Sequence, residues 1–95
     1  MRSISWSRPA RDDLRRIVEW LRAENSPDVA ARYLRAIRAR CAALENFPNR
    51  GPQIENGVRK LLIPDTPYII LYRLIGANIE VARVFHNREN WRAKA

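Results

Sequence analysis

The stretch YIILYRL, residues 68–74, constrains the fold more than any other, because its first five residues are all apolar and leave it no polar face. A strand with one wet side alternates apolar and polar residues, so a strand apolar on both faces belongs at the centre of a sheet. Such a strand demands neighbours. VRKLLI (58–63), which ends in the turn signal PDTP, supplies one, and IEVARVF (79–85), reached through the tight turn GAN (76–78), supplies the other. The three segments read as an antiparallel meander.

The first half of the chain carries a helical period instead. Ile4 and Trp6 alternate with serines, which predicts a short opening strand over Arg2–Trp6. Ser7 then caps a helix with Pro9 in its first turn, Asp12 and Asp13 near its positive end, and Leu14, Ile17, Val18 and Leu21 at helical spacing. That helix stops near AENSP. Ser26 and Pro27 start a second, on which Ala30, Tyr33, Leu34, Ile37, Cys41 and Leu44 trace one face. NFPNRGPQ (46–53), rich in helix and strand breakers, reads as a loop. The predicted fold class is α+β: a short N-terminal strand, a helical hairpin and a three-stranded antiparallel meander, with the hairpin laid on one sheet face, in a single domain of residues 1–95.

The net charge is +8, with sixteen arginines and two lysines, which points to an acidic partner, either nucleic acid or an acidic protein. A planar guanidinium binds carboxylate or phosphate through paired hydrogen bonds, so arginine suits specific docking. Arg32, Arg35, Arg38 and Arg40 have no acid among them between Asp28 and Glu45, so they form either a solvated face or a contact surface. The longest apolar run, Tyr68–Tyr72, is far short of a bilayer span, and MRSISWSRPARDD has no apolar export segment, so a cytoplasmic protein without membrane contact is expected. Cys41 sits in the apolar helical pattern as a small core residue. One Cys and one His are too few for a metal cage, and no glycine-rich phosphate loop, HExxH or CxxC occurs, so neither metal nor cofactor is expected.

WSRPARDDLRRIVEWL, SPDVAARYLRAI, LENFPNRGP, VRKLL, TPYIILYR and IEVARVFHNRENW follow one another in an order that resembles the RelE/ParE superfamily of type II toxins, closest to its ParE branch. The resemblance implies a β-α-α-β-β-β fold and a cognate antitoxin whose acidic, partly helical C-terminal segment wraps the toxin. It further implies a hetero-oligomer that contacts operator DNA only through the antitoxin. ParE-like members poison DNA gyrase without catalysis, whereas RelE-like members cleave mRNA on the ribosome. Cleavage needs a proton acceptor, a proton donor and cations around the phosphorane, for which His86, Arg88, Arg59 and Lys60, with Arg73, are the candidates. RelE-like nucleases carry a basic residue after the tyrosine of the third strand, where this chain has Ile69 after Tyr68. The ParE form is apolar there, and RVFHNRE resembles the ParE ending. The reading therefore leans to a non-catalytic gyrase poison, with the ribosome-dependent nuclease as the alternative and a nontoxic binding module as a third. Glu89 departs from the second arginine of many ParE-like chains and would pair with Arg88 or Arg92.

Residue by residue, His86 reads as a strand-end histidine packed near the helices, or as part of a target-binding set with Arg88 and Trp91. Arg32, Arg35, Arg38, Arg73 and Arg83 are the antitoxin-binding candidates. Trp6 and Trp20 read as core or helix–sheet contacts, and Tyr68 and Tyr72 as neighbours on one strand face. Arg73 and Arg83 lie on adjacent strands, where they would face each other and call for a carboxylate between them.

Overall fold

A computed structural model describes residues 2–89. The elements run β1 (Ile4–Trp6), α1 (Arg8–Glu24), α2 (Pro27–Ala43), β2 (Gln53–Glu55), β3 (Val58–Leu62), β4 (Tyr68–Ile75) and β5 (Asn78–His86). The sheet order is β1-β5-β4-β3-β2, with β1 parallel to β5 and every other pair antiparallel. The α+β architecture is the expected one. β2 is an addition, lying at the end of the segment read as loop and joined to β3 through Asn56 (φ 49°) and Gly57 (φ 76°). Two successive positive φ angles are what an Asn-Gly hairpin turn supplies, but three strand residues are too few to display an alternating pattern.

Both helices begin as their caps dictate. The Ser7 hydroxyl accepts from Ala10 N at 3.1 Å and the Ser26 hydroxyl from Val29 N at 3.1 Å, each satisfying one orphan donor of a first turn. The main core lies between the helices and one sheet face, where Ala10, Leu21, Ala30 and Ile37 meet Leu61, Ile70, Tyr72, Ile79 and Val81. Ile69, Leu71 and Phe85 form a second cluster on the opposite face, with Ile54 and Val58 packed against it. Tyr68 through Tyr72 are all buried, which is the central-strand position that their composition requires.

The register slips once. Leu71 pairs with Arg83 but Tyr72 pairs with Val81, which makes Ala82 an extra, bulged residue of β5. Ser7 holds the bulge: its hydroxyl donates to Ala82 O at 2.7 Å and its N–H to Val81 O at 2.9 Å. Before the bulge, Ile79 and Val81 point to the helices; after it Val84 does, and Phe85 joins the other cluster. A one-residue slip reverses which side chains face the core.

Three expectations are corrected. Asp12 and Asp13, expected close enough to the positive end of α1 to favour it, lie beyond its first turn, and Asp13 is buried and committed to Arg16, Arg83 and the Val84 N–H. Trp20 is 57% exposed and is not a core residue. Arg73 and Arg83 do not face each other, because Arg73 pairs with Glu80 across β5 while Leu71 sits opposite Arg83. The Arg73–Glu80 ion pair spans 3.6 Å.

Candidate functional site

The last turn of β5 borders a cleft of about 400 Å³, walled by Arg16 and Trp20 of α1 and by Tyr68, Val84 and His86 of the sheet. His86 ends the strand, and its ring meets Tyr68 edge to face at 5.6 Å, while Tyr68 meets Tyr33 the same way at 5.9 Å. Behind the ring the chain folds back on itself: His86 N donates to Glu89 Oε1 at 3.1 Å and Glu89 N to His86 O at 3.0 Å. Arg88 N donates to His86 Nδ1 at 3.1 Å. Nδ1 is thus an acceptor within the turn, and Nε2 is the ring nitrogen left to meet a partner. His86 ends β5, and the ring contact it makes is with Tyr68 of β4. Burial first, then the charges of Tyr33 and Glu89, push the Tyr68 phenol above its ordinary pKa, so it stays a neutral wall.

Asp13 forms the other edge of this cleft. Its carboxylate accepts Arg83 Nε at 2.8 Å, Arg83 Nη2 at 3.0 Å, Val84 N at 3.0 Å and Arg16 Nη2 at 2.6 Å. β1 pairs only with Ile79–Val81, so beyond the bulge the N–H of Val84 meets this carboxylate in place of a neighbouring strand. The Asp13 hydrogen bonds raise the Arg83 pKa against the opposing effect of burial, and its guanidinium also lies 4.5 Å above the Phe85 ring.

The structure brings His86 and Arg88 together in one turn but leaves Arg59 and Lys60 elsewhere. Arg59 lies opposite Tyr72 and His86 opposite Tyr68. Four residues of strand separate those positions, about 13 Å along β4. Arg59 Nη1 donates to Gly51 O at 2.8 Å and Asn49 O at 3.4 Å, pinning the loop before β2. Lys60, its neighbour in β3, points to the opposite face. Ile69 is 1% exposed, in the second cluster.

Of the remaining candidates, Arg32 lies 5.5 Å over the Tyr33 ring, Arg35 and Arg38 are exposed on α2, and Trp91 lies outside the described residues. Sequence reasoning misses Asp13, Arg16 and Trp20. Trp20 had a signal: it stands one residue, or about 100° around the helix, from Leu21 and so falls off the apolar stripe. Among the described residues no three His, Cys, Asp or Glu side chains are placed to hold a metal ion, and no helix is long and apolar enough to cross a membrane.

Residues 4–91, spanning the sheet and this cleft, match the family model described as the ParE toxin of the type II toxin–antitoxin system parDE. The chain belongs to the ParE toxin family. A relative named Toxin RelE1, from Caulobacter vibrioides, is 34% identical over 82 residues, which cover 84% of this chain and 87% of that protein. A solved chain from the chromosomal ParDE TA system of P. aeruginosa superposes with a TM-score of 0.81 at 27% identity, covering 90% of this chain and 96% of that one. As a ParE-family member it is a type II toxin, and its antitoxin partner follows from that pairing. Within this ParE chain the cleft is built from the end of β5, the start of β4 and the outer flank of α1.

Proposed function

We propose that this toxin acts in the cytoplasm by binding DNA gyrase and holding it on cleaved DNA, without catalysing a reaction of its own. An acidic antitoxin neutralises it, and operator DNA is contacted through that antitoxin. The dispersal of the candidate catalytic groups carries the reading: His86 and Arg88 share a turn, while Arg59 is tied to loop carbonyls about 13 Å further along the sheet. Acid–base cleavage of a phosphodiester requires its donors and cations within hydrogen-bond reach of one reacting centre. The apolar, buried Ile69 adds to this, since it leaves no cation at the position following Tyr68.

Target contact falls to His86 and the exposed Trp20 of the cleft, with Arg88 in the turn that follows His86 and Trp91 beyond the described residues. An exposed tryptophan beside arginines has the composition of an interface anchor. Purified toxin added to gyrase, relaxed circular DNA and ATP should abolish supercoiling and accumulate cleaved complex, and the antitoxin should reverse both. An unaffected gyrase combined with site-specific mRNA cleavage on translating ribosomes would reverse the assignment.

A further inference from the structure

Tyr68 and Tyr72 stand on the same face of β4, both buried in the main core, but their hydroxyls differ. That of Tyr72 accepts from Gly51 N and donates to Pro48 O. That of Tyr68 makes no hydrogen bond with any described residue, although Tyr68 is only 4% exposed. A buried phenol usually finds a partner, and leaving it without one is costly. Among the described residues Arg40 Nε is the one enclosed side-chain polar atom that lacks a partner, so the Tyr68 oxygen reaches the surface. The surface that Tyr68 borders is the His86 cleft. The other polar groups left over there are donors. Arg88 N donates to His86 Nδ1, which leaves the ring proton on Nε2. Arg16 gives an N–H to Asp13 and keeps others, and Trp20 offers its indole N–H. The acceptors are engaged: Asp13 by Arg16, Arg83 and Val84 N, and Glu89 by His86 N.

We infer that Tyr68 and His86 form the hydrogen-bonding floor of this cleft and there receive a carboxylate side chain of the target protein, a step that rests on the cleft being the target surface. The apolar walls of Ile17, Trp20 and Val84 flank that position. An acceptor is called for because the unfilled groups are donors. A protein carboxylate fits better than a nucleic-acid backbone: among the described residues Asp13 and Glu89 balance Arg16 and Arg83 at the cleft, which leaves no surplus of positive charge to draw a polyanion. A single carboxylate needs only donors in place, and hydrogen bonds to a charged acceptor are the stronger kind. The Tyr68 phenol, held above its ordinary pKa by burial first, keeps its proton and stays a donor.

Tyr68→Phe removes the hydroxyl alone, and Tyr72→Phe is its control on the same strand face. Urea unfolding should find Y68F at least as stable as wild type, because it loses no internal bond, and Y72F less stable. Calorimetry of the full toxin with gyrase in the absence of DNA should show binding weakened about tenfold or more in Y68F, the scale of one hydrogen bond to a charged group, and less than about threefold in Y72F. A second measurement needs no gyrase: the His86 ring nitrogens are followed by NMR while N-acetylglutamate α-amide is added, with N-acetylglutamine α-amide as its neutral match. The acidic probe should shift Nε2 saturably in wild type and about tenfold more weakly in Y68F, and the neutral probe should bind more weakly than the acidic one. Y68F that binds gyrase like wild type, a defect confined to gyrase with DNA, equal responses to the two probes, or no response to the acidic one would each overturn the inference. A wild-type toxin that ignores gyrase yet passes the probe test would remove gyrase as the target and leave the carboxylate site standing.

Discussion

Asp13 and Arg83, seventy residues apart, form a two-pronged ion pair, with Nε 2.8 Å and Nη2 3.0 Å from the carboxylate, that fastens α1 to the second half of β5. The Asp13 side chain is 2% exposed and that of Arg83 24%, so water screens the pair weakly. Removing one member of such a pair leaves the other desolvated without a counter-charge. Asp13→Ala also strands the Val84 N–H. A loss of about 3 kcal/mol is expected, read from the midpoint of urea unfolding at constant slope. Arg73→Ala, which removes the exposed 3.6 Å contact with Glu80, should cost under about 0.5 kcal/mol in the same assay.

The loop before β2 is held by one phenol. Tyr72 is fully buried; its hydroxyl accepts from Gly51 N at 2.9 Å and donates to Pro48 O at 2.8 Å. Tyr72→Phe deletes both bonds and should cost about 1–3 kcal/mol. Gly51→Ala puts a Cβ 2.5 Å from Lys60 O and 3.0 Å from Tyr72 Cε1, so the loop must move off β3. Overpacking of this kind costs about 1–3 kcal/mol, and thermal unfolding of both variants should show losses of similar size.

Burial pushes the Cys41 thiol up from 9.0 to about 12. The folded chain therefore keeps its proton at a pH where the unfolded chain has released it. Stability from this group is fully present below pH 9 and falls as pH rises from 9 towards 12. Two measurements check this: at pH 8 the native thiol should react with a thiol reagent at least about 100-fold more slowly than in denaturant, and Cys41→Ala should flatten the alkaline fall in stability.

Trp20→Ala should separate folding from action. The residue is 57% exposed, so stability should change by no more than about 0.5 kcal/mol. Its place on the cleft rim opposite His86 predicts at least about tenfold weaker gyrase inhibition, the scale of an interface anchor. Unchanged inhibition by a folded variant would remove Trp20 from the target surface.

How much of this is legible in the chain depends on the range of the interaction. The caps at Ser7 and Ser26 and the burial of Tyr68–Tyr72 are local, and their residues announce them. The place of His86 at the end of β5 is also anticipated, while its ring contact with Tyr68 of β4 is not. The Asp13–Arg83 pair is not, because nothing near either residue in sequence marks the other as its partner. The supposed meeting of Arg73 and Arg83 fails because the hairpin turn sets the register: Ile75 pairs with Asn78, so Arg73 falls opposite Glu80, three residues short of Arg83. Trp20 is misread because an aromatic inside an amphipathic helix is usually core, although its angle on the helix already sets it aside.

The bulge at Ala82 puts the two halves of β5 out of phase, and that places them under separate constraints. Ile79 and Val81 answer to the hydrophobic core, so substitutions there are judged by fit. Past the slip, the strand edge is held by a carboxylate on α1, and the chain runs out into the turn that carries His86 and Arg88. That end can change its chemistry without the front half having to be repacked. Deleting Ala82 would leave Val81 and Arg83 as consecutive rungs opposite Tyr72 and Leu71, with Val84 still against the helices, and would remove the carbonyl to which the Ser7 hydroxyl donates.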